Sequence, residues 1–99
     1  MLFRSAGDTE GNTSLILASC NGHTETVKLL ASKGAEVNAK NHEGATALIL
    51  AAKNGHKATV SMLLSKGADP SVQDWEGKTA LNLASELDRK EVVDLLKDQ

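Results

Sequence analysis

The residues best suited to chemistry by type and spacing are Cys20 and His23, a thiol and an imidazole three positions apart. A cysteine nucleophile needs an orienting third group and an oxyanion site, and the sequence supplies neither. A zinc site needs three or four ligands, and the chain has no second cysteine. The sequence therefore predicts no catalytic site, no metal site and no cofactor, and we do not expect an enzyme.

Composition and charge restrict the partners and the compartment. The 99 residues are 40% hydrophobic and 24% charged, with a net charge of -2, which predicts one globular domain. Basic residues form only short pairs such as Arg89-Lys90, so nucleic acid is not an expected partner. A single cysteine fits a reducing compartment. Because no signal peptide is evident at Met1–Arg4 and the longest apolar run is Ala47–Ala52, we expect a cytoplasmic protein, with the nucleus as the alternative, and no membrane partner.

The elements that must position any functional side chain come from a repeat of 33 residues. When the chain is shifted against itself by this period, seven positions carry one identical residue in all three copies, without a gap. The positions are Gly11, Gly44 and Gly77; Thr13, Thr46 and Thr79; Leu15, Leu48 and Leu81; Leu17, Leu50 and Leu83; Ala18, Ala51 and Ala84; Val27, Val60 and Val93; and Leu30, Leu63 and Leu96.

Each copy predicts a turn followed by two short antiparallel helices. The repeated threonines stand at N-cap positions, where a hydroxyl accepts an amide hydrogen of the first turn. The Leu-x-Leu-Ala run that follows predicts a first helix buried on several sides. Gly22 and Gly55 are expected to end this helix, and Gly34 and Gly67 to end the second. Helices this short are unstable alone, so each must pack on its neighbours.

With these residues identified, the chain resembles the ankyrin-repeat family. The period and the pattern Gly-x-Thr-x-Leu-x-x-Ala, Gly-His, Val-x-x-Leu and Gly-Ala carry the resemblance. It implies an all-α repeat solenoid of three ankyrin repeats, each with a β-turn finger and an antiparallel helix pair, whose fingers and inner helices form a concave binding face. The expected domain covers residues 1–99, with an extension at 1–7 and repeats at 8–40, 41–73 and 74–99.

The departures from the family pattern carry further expectations. Ile16 and Ile49 replace the family's usual histidine, so packing should substitute for its hydrogen bond. The third repeat is expected to act as a C-terminal cap, because a terminal repeat needs a wettable outer face. Its polar substitutions are Asn82, Glu86, Asp88, Arg89 and Lys97, which places Gln99 near a domain end. At the other end we expect Leu2 and Phe3 to dock as a makeshift cap; the alternative is that further repeats precede Met1.

Trp75 is the leading candidate for partner binding. It aligns with His42 at a finger tip, which the resemblance puts at the exposed concave edge, and tryptophan is enriched at binding hot spots. The alternative is that its ring folds onto a neighbouring finger and only shields backbone. The other expected partner-binding residues vary between repeats, and they are Glu10, Asn12, Cys20, Asn21, Lys40, His42, Glu43, Lys53, Asn54, Gln73, Glu76, Lys78, Glu86 and Leu87.

Two framework positions complete the expectations. His23 and His56 recur after the glycine that ends the inner helix, which predicts a hydrogen-bonding brace between repeats. Asn38 ends the run Gly-Ala-Glu-Val-Asn and resembles the ankyrin asparagines that some hydroxylases modify, which predicts a hydroxylation site in a eukaryotic host.

The predicted function is protein–protein interaction. We expect a monomeric scaffold or adaptor module that binds a partner protein through the concave face, because an extended rigid surface needs little ordering on association. The alternative is a regulatory or targeting arm of a larger, enzymatic protein. The expected binding residues mix acids, amides and lysines, so the sequence alone predicts no sign for the charge of the partner.

Overall fold

The computed structural model describes residues 11–98, which contain six α-helices and no β-strand. The expected all-α repeat solenoid is confirmed. Four expectations lie outside the described residues: the extension at 1–7, the cap formed by Leu2 and Phe3, the site residue Glu10 and the domain end at Gln99. The helices are α1 (Ser14–Cys20), α2 (Thr24–Ser32), α3 (Ala47–Lys53), α4 (Lys57–Ser65), α5 (Ala80–Glu86) and α6 (Lys90–Lys97).

The helices form two layers. In the inner layer α3 packs between α1 and α5, and in the outer layer α4 packs between α2 and α6. Each inner helix also packs on the outer helix that follows it in the chain. Small and aliphatic side chains fill the space between the layers, because few aromatic residues are present to do so. The largest apolar side chains among those that are fully buried are Leu15, Ile16, Val27, Leu48, Ile49, Val60, Leu63 and Val92.

The inner helices begin at side-chain caps. Each repeated threonine accepts a hydrogen bond from the backbone N–H three residues later, at 3.1 Å for Thr13 and Thr79 and 3.2 Å for Thr46. Asn82 returns a bond by accepting from the Thr79 N–H at 2.9 Å, which completes a capping box. Asn82, which was expected to add polarity to the third repeat, thus also holds the start of α5. In the first two repeats the corresponding Ile16 and Ile49 are buried, as expected.

One row of leucines lies on the more open side of the inner helices. In α1 the side chains of Leu15, Ile16, Ala18 and Ser19 are buried, but Leu17 is 38% exposed. The aligned Leu50 and Leu83 are half-buried. Because a helix turns by about 100° per residue, the second leucine of the Leu-x-Leu-Ala run projects away from the first. The predicted burial on several sides holds for α1 and α3, and this row of leucines lies on the remaining, more open side.

Polar side chains connect successive repeats. Nε2 of His56 donates to the carbonyl oxygen of Cys20 at 3.0 Å, so the predicted brace is confirmed at this position. In the third repeat Nε of Arg89 donates to the aligned carbonyl oxygen of Lys53 at 3.1 Å. Arg89 was expected only to make the cap wettable, but its guanidinium replaces the histidine brace. His23 is exposed and has no complete repeat before it within the described residues.

Ser19 carries a buried hydroxyl without a hydrogen-bond partner among residues 11–98. The aligned residue of the second repeat is Ala52, which is also fully buried. Because an unsatisfied buried hydroxyl is destabilising, Ser19→Ala should raise the free energy of unfolding by about 1 kcal/mol, measured by urea denaturation followed by circular dichroism. The matched control is Ser85→Ala at the aligned, exposed position, which should change stability little. A loss of stability in Ser19→Ala would show that the hydroxyl is satisfied in solution.

Asp88 adopts a backbone conformation that favours glycine. Its φ is 62°, close to the values of 74° and 76° at the aligned Gly22 and Gly55. A non-glycine residue is strained there, so Asp88→Gly should raise the free energy of unfolding by about 1 kcal/mol, measured by thermal denaturation. The control Asp94→Gly makes the same change inside α6 and should lower stability by about 1 kcal/mol. A destabilised Asp88→Gly protein would contradict this interpretation.

Candidate functional site

The second and third fingers are turns that are each organised by one side chain. Oδ1 of Asn41 accepts hydrogen bonds from the backbone N–H groups of Glu43 (2.8 Å) and Ala45 (3.0 Å). Oδ1 of Asp74 does the same for Glu76 (2.9 Å) and Lys78 (3.0 Å). Sequence reasoning missed both residues. Their signal was an Asn or Asp at the start of each finger, a residue type whose side chain caps its own turn.

The second and third fingers are joined at Trp75. Its backbone N–H donates to the carbonyl oxygen of Glu43 at 3.1 Å. The indole lies over Gly44, so close that a Cβ built on that glycine would be 2.8 Å from Nε1. Gly44 also has a φ of 77°, so both its conformation and its contact with the ring require glycine. His42 covers Gly11 in the same way one repeat earlier.

Trp75 nevertheless remains 74% exposed. The predicted exposure at the finger tip is confirmed, and the alternative is correct in part, because one edge of the ring covers the backbone of the neighbouring finger. A tryptophan that is held at its backbone and along one edge loses little conformational freedom when a partner contacts its remaining surface. Such a side chain suits binding.

A cleft of about 360 Å³ separates Trp75 from the inner helices. Leu50 and Leu83 contribute its apolar helix side, and Lys53 lies one helical turn beyond Leu50. Neither leucine was predicted as a site residue, because the repeated Leu-x-Leu-Ala run was assigned to the core. Their signal was the spacing of three to the variable positions Lys53 and Glu86, which places them on the same helix face. The full lining is Glu43, Ala45, Leu50, Lys53, Asp74, Trp75, Glu76 and Leu83.

Two of the charged side chains near the cleft form an ion pair with each other. Nζ of Lys78 donates to Oε1 of Glu86 at 3.0 Å, and both side chains are exposed or nearly so. This hydrogen bond raises the pKa of Lys78 above its usual value, and the charges of Glu86, Glu76 and Asp74 act in the same direction. Lys78 and Glu86 therefore largely neutralise each other, which leaves the charges of the cleft lining itself exposed to a partner.

Asn12 was predicted to lie on the binding surface, but its side chain is buried. It is only 8% exposed, and its Oδ1 accepts a hydrogen bond from Nδ2 of Asn41 at 2.8 Å. The side chain therefore lies between the first two fingers and holds them together, where a partner cannot reach it. A finger residue that varies between repeats had suggested exposure, but the hydrogen bond to the next finger decides its position.

Three other predicted site residues form a polar group at the ends of α1 and α3. Nδ2 of Asn54 donates to the carbonyl oxygen of Cys20 at 3.1 Å and to its Sγ at 3.3 Å. Nδ2 of Asn21 caps its own helix by donating to the carbonyl oxygen of Leu17 at 2.9 Å. Asn21 and Asn54 are exposed, whereas Cys20 is half-buried. The remaining predicted residues Lys40, His42, Gln73 and Leu87 are all exposed.

Both the nitrogen and the oxygen of the Asn38 side-chain amide form hydrogen bonds. Nδ2 donates to the carbonyl oxygen of Gly67 at 3.2 Å, and Oδ1 accepts from the backbone N–H of Asp69 at 2.8 Å. Two hydrogen bonds from Ser71, at 2.7 Å from its hydroxyl and 2.9 Å from its N–H, lower the pKa of Asp69. The amide of Asn38 thus connects the ends of the first two repeats. Its hydroxylation stays a prediction.

Neither a metal site nor a membrane span emerges from residues 11–98. No three His, Cys, Asp or Glu side chains in this range are grouped so that they could hold a metal ion. Within the same range, no helix has the length and apolar character needed to cross a bilayer.

The cleft presents an exposed aromatic ring, two leucines and several charges to solvent. This composition is typical of a protein-binding surface.

Comparison with known families agrees with the geometry. The family model described as "Ankyrin repeats (3 copies)" matches residues 36–99, which is more than half of the chain. The model of the single "Ankyrin repeat" matches residues 10–42. No curated protein sequence matches the chain. Ankyrin repeats are generally protein–protein interaction modules. The chain belongs to the ankyrin-repeat family.

Proposed function

We propose that this domain is a scaffold or adaptor module that binds a partner protein in the cleft between Trp75 and the inner helices. The observation that carries the proposal is the exposure of Trp75, which stands 74% open to solvent on a rigid finger opposite Leu50 and Leu83. An apolar ring flanked by charges and facing partly exposed leucines resembles the centre of a protein interface, where tryptophan anchors dominate the binding energy.

The proposal describes binding without catalysis, by a monomer in the cytoplasm or the nucleus. The compartment is proposed because the single cysteine, Cys20, cannot form a disulfide within the chain. The monomeric state is tested by light scattering coupled to size-exclusion chromatography. A mass twice that of the 10.4 kDa chain would instead indicate a dimer.

The test is a comparative pull-down from cell lysate with three forms of the domain, quantified by mass spectrometry. The cleft variant is Trp75→Ala. The matched control is Leu29→Ala, which removes an exposed apolar residue on the outer helix α2. Circular dichroism establishes that all three forms are folded.

A protein retained by the wild type and the α2 control, but lost from the cleft variant, would support the proposal. Proteins captured equally by all three forms would contradict it. Loss from the α2 control alone would place the binding surface on the outer helices instead, on the side away from the fingers.

A further inference from the structure

We propose that the cleft recognises a basic segment of the partner, in which an arginine stacks on Trp75 and a neighbouring aliphatic side chain contacts Leu50 and Leu83. This inference rests on the proposed function and adds the chemical class of the partner. Its basis is the charge of the cleft lining, the exposure of the indole and the position of the two leucines.

The cleft lining carries more negative than positive charge. Its ionisable side chains are three carboxylates, Glu43, Asp74 and Glu76, and one ammonium group, Lys53. Lys78 forms the one ion pair found among residues 11–98, with Glu86, and this pair adds no net charge to the cleft. Glu43 and Glu76 are exposed, so a partner can reach their carboxylates. In such surroundings an acidic segment is repelled and a basic one is attracted.

The position of Trp75 favours arginine over lysine. The backbone N–H of Trp75 donates to the carbonyl oxygen of Glu43, Glu76 is the next residue in the chain, and all three residues line the cleft. A planar guanidinium can stack on the exposed indole face and direct its N–H groups to a carboxylate at the same time. An ammonium group is a point charge and lacks the flat surface and the fork of donors.

The helix side of the cleft favours an aliphatic neighbour for the arginine. Leu50 and Leu83 are half-buried, so part of their surface remains to be covered. A volume of about 360 Å³ admits one or two side chains of a partner. The occupant therefore presents an arginine to the finger and an aliphatic side chain to the helices.

The experiment is selection of random peptides displayed on phage against the wild-type domain, with counter-selection on Trp75→Ala. Enriched peptides are synthesised, and dissociation constants are measured by isothermal titration calorimetry. Each peptide is also made with its arginine replaced by citrulline, which keeps the planar shape and removes the charge, and with the arginine replaced by lysine.

Two domain variants test the acidic side of the contact. Glu43→Gln with Glu76→Gln removes two negative charges at the cleft. Glu25→Gln with Glu91→Gln removes two on the outer helices α2 and α6, so the net charge changes equally. Both glutamates of each pair are exposed, so the folds should persist.

We expect enriched peptides to contain an arginine next to an aliphatic residue. Replacing the arginine by citrulline should weaken binding about tenfold or more, and replacing it by lysine should weaken binding less. The domain with Glu43→Gln and Glu76→Gln should lose about as much affinity as citrulline causes, while the domain with Glu25→Gln and Glu91→Gln keeps wild-type affinity. Cleft-dependent peptides without a basic residue, or binding that survives citrulline, would overturn this inference and leave the proposed function standing. Failure to enrich any peptide that depends on Trp75 would count against both.

Discussion

Replacing Trp75 by alanine is expected to weaken the binding of the partner protein about thirtyfold or more, which corresponds to about 2 kcal/mol. The indole is the largest exposed apolar group at the cleft, and its backbone hydrogen bond to Glu43 and its contact with Gly44 hold it in place before binding. The partner therefore gains the contact area of a large ring without the full entropic cost of ordering it.

Calorimetry with the partner identified by the comparative pull-down measures this loss. Trp75→Phe should lose less than Trp75→Ala, because a smaller aromatic ring keeps part of the contact. Leu29→Ala, on the outer helix α2 and 55% exposed, is the control for loss of exposed apolar surface and should bind as the wild type does. A folded Trp75→Ala domain with unchanged affinity would remove Trp75 from the binding surface.

Trp75 also provides a direct signal, because it is the one tryptophan in the chain. A ring that is 74% exposed should emit at the long wavelengths typical of hydrated indole. Contact with a partner that lacks tryptophan should shift this emission to shorter wavelength, since the ring then leaves water. Binding without any change in emission would place the contact elsewhere on the domain.

Replacing Leu48 by alanine is expected to lower the free energy of unfolding by about 2 to 5 kcal/mol. Leu48 is 1% exposed and lies in α3, the helix that packs on α1, α4 and α5. The substitution therefore leaves a cavity in the central repeat, at the helix that packs against both of the other repeats. Domains of this size are stable by about 5 to 15 kcal/mol, so the loss removes a large part of the total.

Urea denaturation followed by circular dichroism measures this effect. Leu29→Ala makes the same chemical change at an exposed position and should alter stability by less than about 0.5 kcal/mol. Because each repeat is stabilised by its neighbours, unfolding of Leu48→Ala should remain a single transition. A loss below about 1 kcal/mol, or unfolding in separate steps, would contradict the central role of α3.

The boundaries of the helices were accessible from sequence because they depend on local chemistry. A threonine hydroxyl at Thr13, Thr46 or Thr79 can reach only the amide hydrogens of the turn that follows it. Likewise Gly22 and Gly55 adopt positive φ because the chain must leave the helix there. The period of 33 residues repeats the same turn and helix pair in each copy. Such similar units can bury their apolar faces only by stacking on one another.

The cleft depended on contacts between residues far apart in the chain. Leu50 lines the cleft because of the direction in which α3 faces its neighbours. The pattern Leu-x-Leu-Ala does not indicate which of its leucines will face the cleft. Asn12 is buried through Asn41, and Arg89 braces the third repeat through the carbonyl of Lys53. Each partner lies about one repeat away, so no local pattern specifies the contact.

The sequence by itself thus determined the repeat, the N-caps and the helix ends, because each depends on residues within one turn or one period, whereas the exposure of Trp75 at a finger tip followed from the family resemblance. Only the tertiary structure decided which leucines line the cleft and which charges remain exposed there. The reason is physical: exposure and pairing are set by what the neighbouring repeat places beside a side chain, as when Glu86 pairs with Lys78 and leaves Glu43 and Glu76 to the partner.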